Sequence, residues 1–223
     1  MRSATFAFVV VAAALSGGCG DIARSRNLGN PAVSATTLAQ QVCSNCHGMT
    51  GNSVSPNFPN LAGQMEPYFI AQLTGFKSHN RRDPAGYEYM WGLSRSLTDE
   101  QISGLAAYYS SQSAVTHAIE RNPGELEAGK AIFVSGVADK GVPACSSCHG
   151  LEAKGNATFP RLAGQHSDYL IKQLLVFQRT DERPEGSIMK TVAHNLTTKN
   201  IEDVAGYLQA MPGSPPASSP GCC

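Results

Sequence analysis

Two pentads carry the most specific chemistry in this chain: Cys43-Ser44-Asn45-Cys46-His47 and Cys145-Ser146-Ser147-Cys148-His149. On a helical turn, thiols three residues apart face the same way, and a histidine one place further on projects from the same side. That arrangement suits addition of both thiols to the two vinyl groups of one porphyrin, with the imidazole presented to its iron. Paired thiols can also form disulfides, bind zinc or act as a redox dithiol. Disulfide chemistry has no use for His47 or His149, and a zinc site built from both pairs leaves each histidine needing a separate explanation. The pentads therefore read as two covalent haem c attachment points, through Cys43, Cys46, Cys145 and Cys148, with His47 and His149 on the irons.

The sixth iron ligand decides between carrier and enzyme. His/Met ligation raises the reduction potential and closes the iron to outside ligands, whereas an open distal site suits peroxide or other substrate chemistry. A distal ligand must recur in a corresponding place after each pentad. Met90 and Met189 do so, each seven residues before a recurring leucine, Leu97 or Leu196. Met49 and Met65 sit close to the first pentad, opposite Leu151 and His166, and Met211 lies at the end of the second repeat. Core filling is the ordinary use of a methionine, but the repeated pair reads as ligands, giving His47/Met90 and His149/Met189.

The remaining histidines, His79, His117, His166 and His194, have no histidine counterpart in the other half. They read as surface residues or as neighbours behind a ligand, with His194, five residues past Met189, the one able to compete for iron. The second nitrogen of each proximal imidazole needs a hydrogen-bond partner to fix its tautomer, and the carbonyls of Pro59 and Pro160 are the expected acceptors.

The elements that position these residues come in duplicate. Phe58-Pro59-Asn60-Leu61-Ala62-Gly63-Gln64 returns as Phe159-Pro160-Arg161-Leu162-Ala163-Gly164-Gln165, and the offset between copies drifts only from 102 at the pentads to 99 near the end. Phe69, Leu73 and Phe76 return as Leu170, Leu174 and Phe177, and Ile102, Leu105, Ala106 and Tyr109 as Ile201, Val204, Ala205 and Leu208. Both sets follow helical spacing. Thr98-Asp99-Glu100-Gln101 reads as a capping box, and Asn122-Pro123-Gly124-Glu125 as an N-cap with proline at the first helical position. No alternating strand pattern is evident. The expected fold is all-α, with two tandem lobes of three or four short helices over 34–113 and 120–212, followed by a disordered tail over 213–223.

Residues 1–19 read as a secretory signal peptide: Arg2, an apolar run too short to span a bilayer, then small residues. Leu15-Ser16-Gly17-Gly18-Cys19 is also similar to a lipoprotein cleavage box, so Cys19 is either lost with the leader or kept as a lipid-bearing membrane tether. The chain carries 17 basic and 17 acidic residues, which excludes a polybasic nucleic-acid binder and an acidic tail. The basic and acidic residues also balance within each lobe, so docking on partners is not expected to depend on strong overall steering. A lobe of this size with few aromatics has a marginal core, and a porphyrin would supply the missing apolar surface.

The pentads, the two Phe-Pro-x-Leu-Ala-Gly-Gln segments, Leu97-Thr98-Asp99 and the run 107–112 together resemble the dihaem cytochromes c4. The resemblance covers about residues 34–212. It implies two cytochrome c-like lobes packed face to face, each wrapped around a covalent haem c with His/Met ligation and with haem propionates near the lobe interface. It also implies periplasmic electron transfer, not enzyme activity, between respiratory complexes or dehydrogenases and a terminal oxidase. An electron-accepting subunit of a dehydrogenase, such as a flavoprotein sulfide dehydrogenase, is the second reading. A dihaem peroxidase or thiosulfate dehydrogenase is the third. The loop 79–84 and the terminal Cys222-Cys223 depart from the family pattern.

Overall fold

The computed structural model describes residues 27–84, 86–116 and 122–213. The expected leader over 1–19 with Cys19, His117, and the expected tail from 214 onward with Cys222 and Cys223 lie outside the described residues.

In the first lobe, Ser34 opens helix α1 (35–47) by accepting from Thr37 N at 3.1 Å. The helix is α-helical over Ala35–Leu38, widens into a π-helical turn over Ala39–Cys43, and tightens again over Ser44–His47. Helix α2 is Glu66–Lys77, and α3 joins a π-helical turn over Gly86–Met90 to Trp91–Ser94. Helix α4, Asp99–Ser110, begins at the expected capping box: Gln101 N donates to Thr98 Oγ1 at 3.2 Å and Thr98 N to Gln101 Oε1 at 3.0 Å.

The second lobe repeats this plan with one difference. Helix α5, Pro123–Ser135, is capped by Asn122, which accepts from Gly124 N at 2.9 Å. It does not run into the pentad as α1 does. A loop with a short 3-10 turn over Ala138–Lys140 and a bridge between Val137 and Val142 intervenes before α6, Ser146–His149. Helices α7 (Ser167–Arg179), α8 (Ser187–Ala193) and α9 (Thr198–Ala210) complete the lobe. Among the described residues the only β structure is two isolated bridges, so the molecule is all-α with two tandem lobes.

Each lobe has its own core. Leu38, Phe69, Phe76, Leu97, Ile102, Leu105 and Tyr109 are buried in the first, and Phe133, Leu170, Phe177, Leu196, Ile201, Val204 and Leu208 in the second. Of the repeated apolar sets, only Leu174 is left partly exposed. First and last helices of a lobe cross at close range. Gly129 of α5 lies so near α9 that a Cβ would come within 2.1 Å of Asp203 O, and only glycine fits there.

Candidate functional site

Each pentad sits where its helix meets the core. Cys43 and Cys46 are half-buried, Cys145 is half-buried and Cys148 exposed, and none of the four is in a disulfide. Burial pushes the Cys43 and Cys145 thiols up to about 11, which marks the setting of both as apolar. Among the described residues, no three His, Cys, Asp or Glu side chains converge as a zinc site would require. Cys43 packs against the first core and Cys145 against the second. Such a setting favours an apolar plate bonded through sulfur.

His47 and His149 are buried, at 8% and 5% exposure. Burial lowers both imidazole pKa values, which keeps the rings neutral, and the Pro59 and Pro160 carbonyls partly oppose the shift. His47 Nδ1 lies 2.9 Å from Pro59 O, and His149 Nδ1 lies 2.9 Å from Pro160 O. A carbonyl only accepts, so Nδ1 carries the proton and Nε2 presents a lone pair. These are the two acceptors expected from the sequence. Edge-on contacts with Phe58 and Phe159, each 6.1 Å between ring centroids, flank the two imidazoles.

Gly48 follows His47 at φ +76°, and a Cβ there would meet Asn52 O at 2.3 Å. The chain can therefore turn back sharply beneath the imidazole only with glycine in that place.

Met90 ends the π-helical turn of α3 and packs, half-buried, against the first core. Met189 lies in α8 against the second core. His194, the candidate competitor, is exposed just past α8, and its carbonyl accepts from Gln178 Nε2 at 3.1 Å. His79 is also exposed, its ring edge-on to Trp91 at 4.3 Å. His166 is different: it is buried between the lobes, with Nε2 2.9 Å from Ser53 O.

The seam between the lobes contains residues to which sequence reasoning gave no role. Gln64 and Gln165 each bond the opposite lobe through both amide atoms. Arg81 and Arg183 are both buried, one over the Phe76 ring at 4.3 Å and the other over Phe177 at 4.5 Å. Arg81 pairs with Asp83 (2.7 Å) and Arg183 with Glu185 (2.9 Å). Each reaches glutamines on both sides of the seam, Gln72 and Gln173. The recurrence of Phe76…Arg81 as Phe177…Arg183, one residue out of register, is the signal that could have found them.

The sequence pattern of the Cytochrome c family matches residues 32–113 and again 126–212. Cytochrome c4 of Stutzerimonas stutzeri is 39% identical over 180 residues, spanning 76% of this chain and 84% of that protein. The solved structure of Acidithiobacillus ferrooxidans cytochrome c4 superposes with a TM-score of 0.71 at 40% identity, covering 75% of this chain and 97% of its own. A protein named as a thiosulfate dehydrogenase electron acceptor, from Thiomonas intermedia strain K12, is 32% identical over 181 residues, covering 79% of this chain and 82% of its own.

Proposed function

The chain belongs to the dihaem cytochrome c4 family, and from that premise we propose that it is a periplasmic shuttle between a donor complex or dehydrogenase and a terminal oxidase, with irons held by His47/Met90 and His149/Met189. It is an electron-transfer protein carrying two covalently bound haem c groups and not an enzyme. The observation that carries the ligand assignment is the repeated locking of a buried, neutral imidazole by a proline carbonyl, one residue after a half-buried or exposed thiol pair. Recurrence of Met90 and Met189 beside the two cores supports the distal half.

The bound haem supplies reversible one-electron cycling of its iron. The protein's part is positional. Cys43 with Cys46, and Cys145 with Cys148, would each hold one haem through two thioether bonds. The Pro59 and Pro160 carbonyls hold Nδ1–H so that the imidazole cannot rotate or change tautomer. The flanking cores exclude water and keep the surroundings rigid, which favours a single ligand set in both oxidation states. The leader over 1–19 supports export, and Cys19 supplies a lipid tether if it is retained.

A second reading has one specific support. The Thiomonas intermedia relative is named for accepting electrons from thiosulfate dehydrogenase, and this chain would then serve a sulfur-oxidising dehydrogenase directly. Reduction by a purified thiosulfate or flavoprotein sulfide dehydrogenase, compared with reduction by a quinol-oxidising complex, separates the two donors.

A spectroscopic redox titration of the haem-loaded protein tests the main reading. Two haems with the ferric Met–iron charge-transfer band, both inert to carbon monoxide when reduced, are expected. A reduced haem that binds carbon monoxide would overturn the His/Met assignment for its lobe.

A further inference from the structure

The peptide unit that holds each proximal histidine is also held from the other lobe. His47 Nδ1 lies 2.9 Å from Pro59 O, and the nitrogen of the same peptide group, Asn60 N, donates to Gln165 Oε1 across the seam at 2.8 Å. The second lobe repeats the pattern. His149 Nδ1 lies 2.9 Å from Pro160 O, and Arg161 N donates to Gln64 Oε1 at 2.8 Å. Each glutamine then closes a second bond, Gln165 Nε2 to Asn60 O at 2.9 Å and Gln64 Nε2 to Arg161 O at 3.1 Å. Asn60, Gln64, Arg161 and Gln165 are all buried.

A peptide group is conjugated, so an acceptor drawing on its N–H raises the electron density on its carbonyl oxygen. A stronger acceptor at Pro59 O draws the Nδ1 proton of His47 outward and makes Nε2 a better donor to a metal. A better nitrogen donor stabilises the ferric state. On this basis we infer that Gln165 and Gln64 are positioning residues acting in trans: Gln165 lowers the potential of the haem in the first lobe, and Gln64 that of the haem in the second. The inference rests on His47 and His149 being the proximal ligands. Lobe adhesion alone would require two buried amides somewhere in the seam. It would not require that both grip the one peptide unit in each lobe that carries the histidine's acceptor.

The test is a redox titration of haem-loaded Gln165→Leu and Gln165→Glu. Each potential is assigned to its lobe by ferric haem-methyl resonances showing nuclear Overhauser contacts to Phe58 or Phe159. The wild-type spectra come first: loss of a low-spin, histidine-ligated haem there would refute the ligand assignment, whereas normal spectra with unmoved potentials in the variants refute only the relay. Gln165→Leu should raise the first lobe's potential, changing its ferrous-to-ferric ratio at fixed poise by about two- to fivefold. That is about 20–40 mV at 59 mV per tenfold. The second lobe's potential should stay put. Gln165→Glu keeps an acceptor on Asn60 N and should leave the first potential at or below the wild-type value.

The relay is overturned if Gln165→Leu moves the second haem as much as the first or moves neither, or if Gln165→Glu raises the first potential as leucine does. Should Gln165→Leu yield no holoprotein, Gln64→Leu decides by the same criteria with the lobes exchanged.

Discussion

Arg81 Nη2 donates to Gln173 Oε1 across the seam at 3.3 Å, and the relationship is returned from the other side, where Arg183 Nη2 donates to Gln72 Oε1 at 2.8 Å. The lobes are thus bolted by a crossed pair of buried arginines, each stacked on its own lobe's phenylalanine. Burial opposes the charge on Arg81, but the Asp83 carboxylate 2.7 Å away holds it protonated. Replacing Arg81 by Met should strip the buried Asp83 carboxylate of its ion-pair partner, leaving it only the Gln173 amide at 3.2 Å and the Arg183 charge, and cost about 3–5 kcal/mol. The double variant with Asp83→Asn should recover most of that loss. Denaturant unfolding of the haem-loaded protein through the four-member cycle measures the coupling, and additive losses would show that the pair does not act as a unit.

Asp83 makes the same seam sensitive to acid. Burial opposes its charge, but Arg81 and Arg183 hold the carboxyl below the ordinary carboxylate range. A depressed folded-state pKa adds stability above the unfolded value of about 3.9, and that contribution disappears as pH falls through the folded value. Stability should therefore be flat in this respect from pH 7 to about 5 and decline below about 4. The decline should be shallower in Asp83→Asn, and parallel acid profiles of the two proteins would contradict this.

Local signals in the sequence survived into the structure, and the seam did not. The capping pair Thr98/Gln101, the Asn122 cap and the Pro59 and Pro160 acceptors are settled within a dozen residues of chain, so residue type and spacing reveal them. Gln165 meets Asn60 only after two lobes have folded and docked. A glutamine side chain announces no such partner, although its recurrence as Gln64 and Gln165 was visible. The loop 79–84, which read as a departure from the family, supplies Arg81 and Asp83 to the seam for the same reason. His166 was expected at the surface or behind a ligand, and burial against Ser53 of the other lobe explains its position instead. The π-helical turn over Ala39–Cys43 has no residue signature at all.

Gly129 tests the crossing of α5 and α9. Any side chain there must displace the α9 backbone at Asp203 O, which a rigid helix cannot yield cheaply. Gly129→Ala should destabilise the second lobe by about 1–3 kcal/mol, the usual range for overpacking. Denaturation followed separately through the absorption of the two haems should show the loss in the second lobe first. Equal loss in both would mean that the lobes unfold as one unit.

Haem removal should show how much of each lobe is self-sufficient. Each core is a small cluster, and Cys43, Leu61, Ile70 and Met90 lie only half-buried beside the first, as Cys145, Leu162, Ile171 and Met189 do beside the second. Those flanking side chains gain full burial only with an apolar plate against them, at about 25 cal/mol for each Å² covered. A domain of this size has little stability to spare without such a contribution. The chain produced without haem attachment should therefore show weakened far-ultraviolet helicity and no cooperative melting. A Cys43→Ala/Cys46→Ala variant, carrying haem only in the second lobe, should lose the first lobe's cooperative transition and keep the second. A compact, sharply melting haem-free protein would show that packing alone suffices and that the porphyrin is not part of the core.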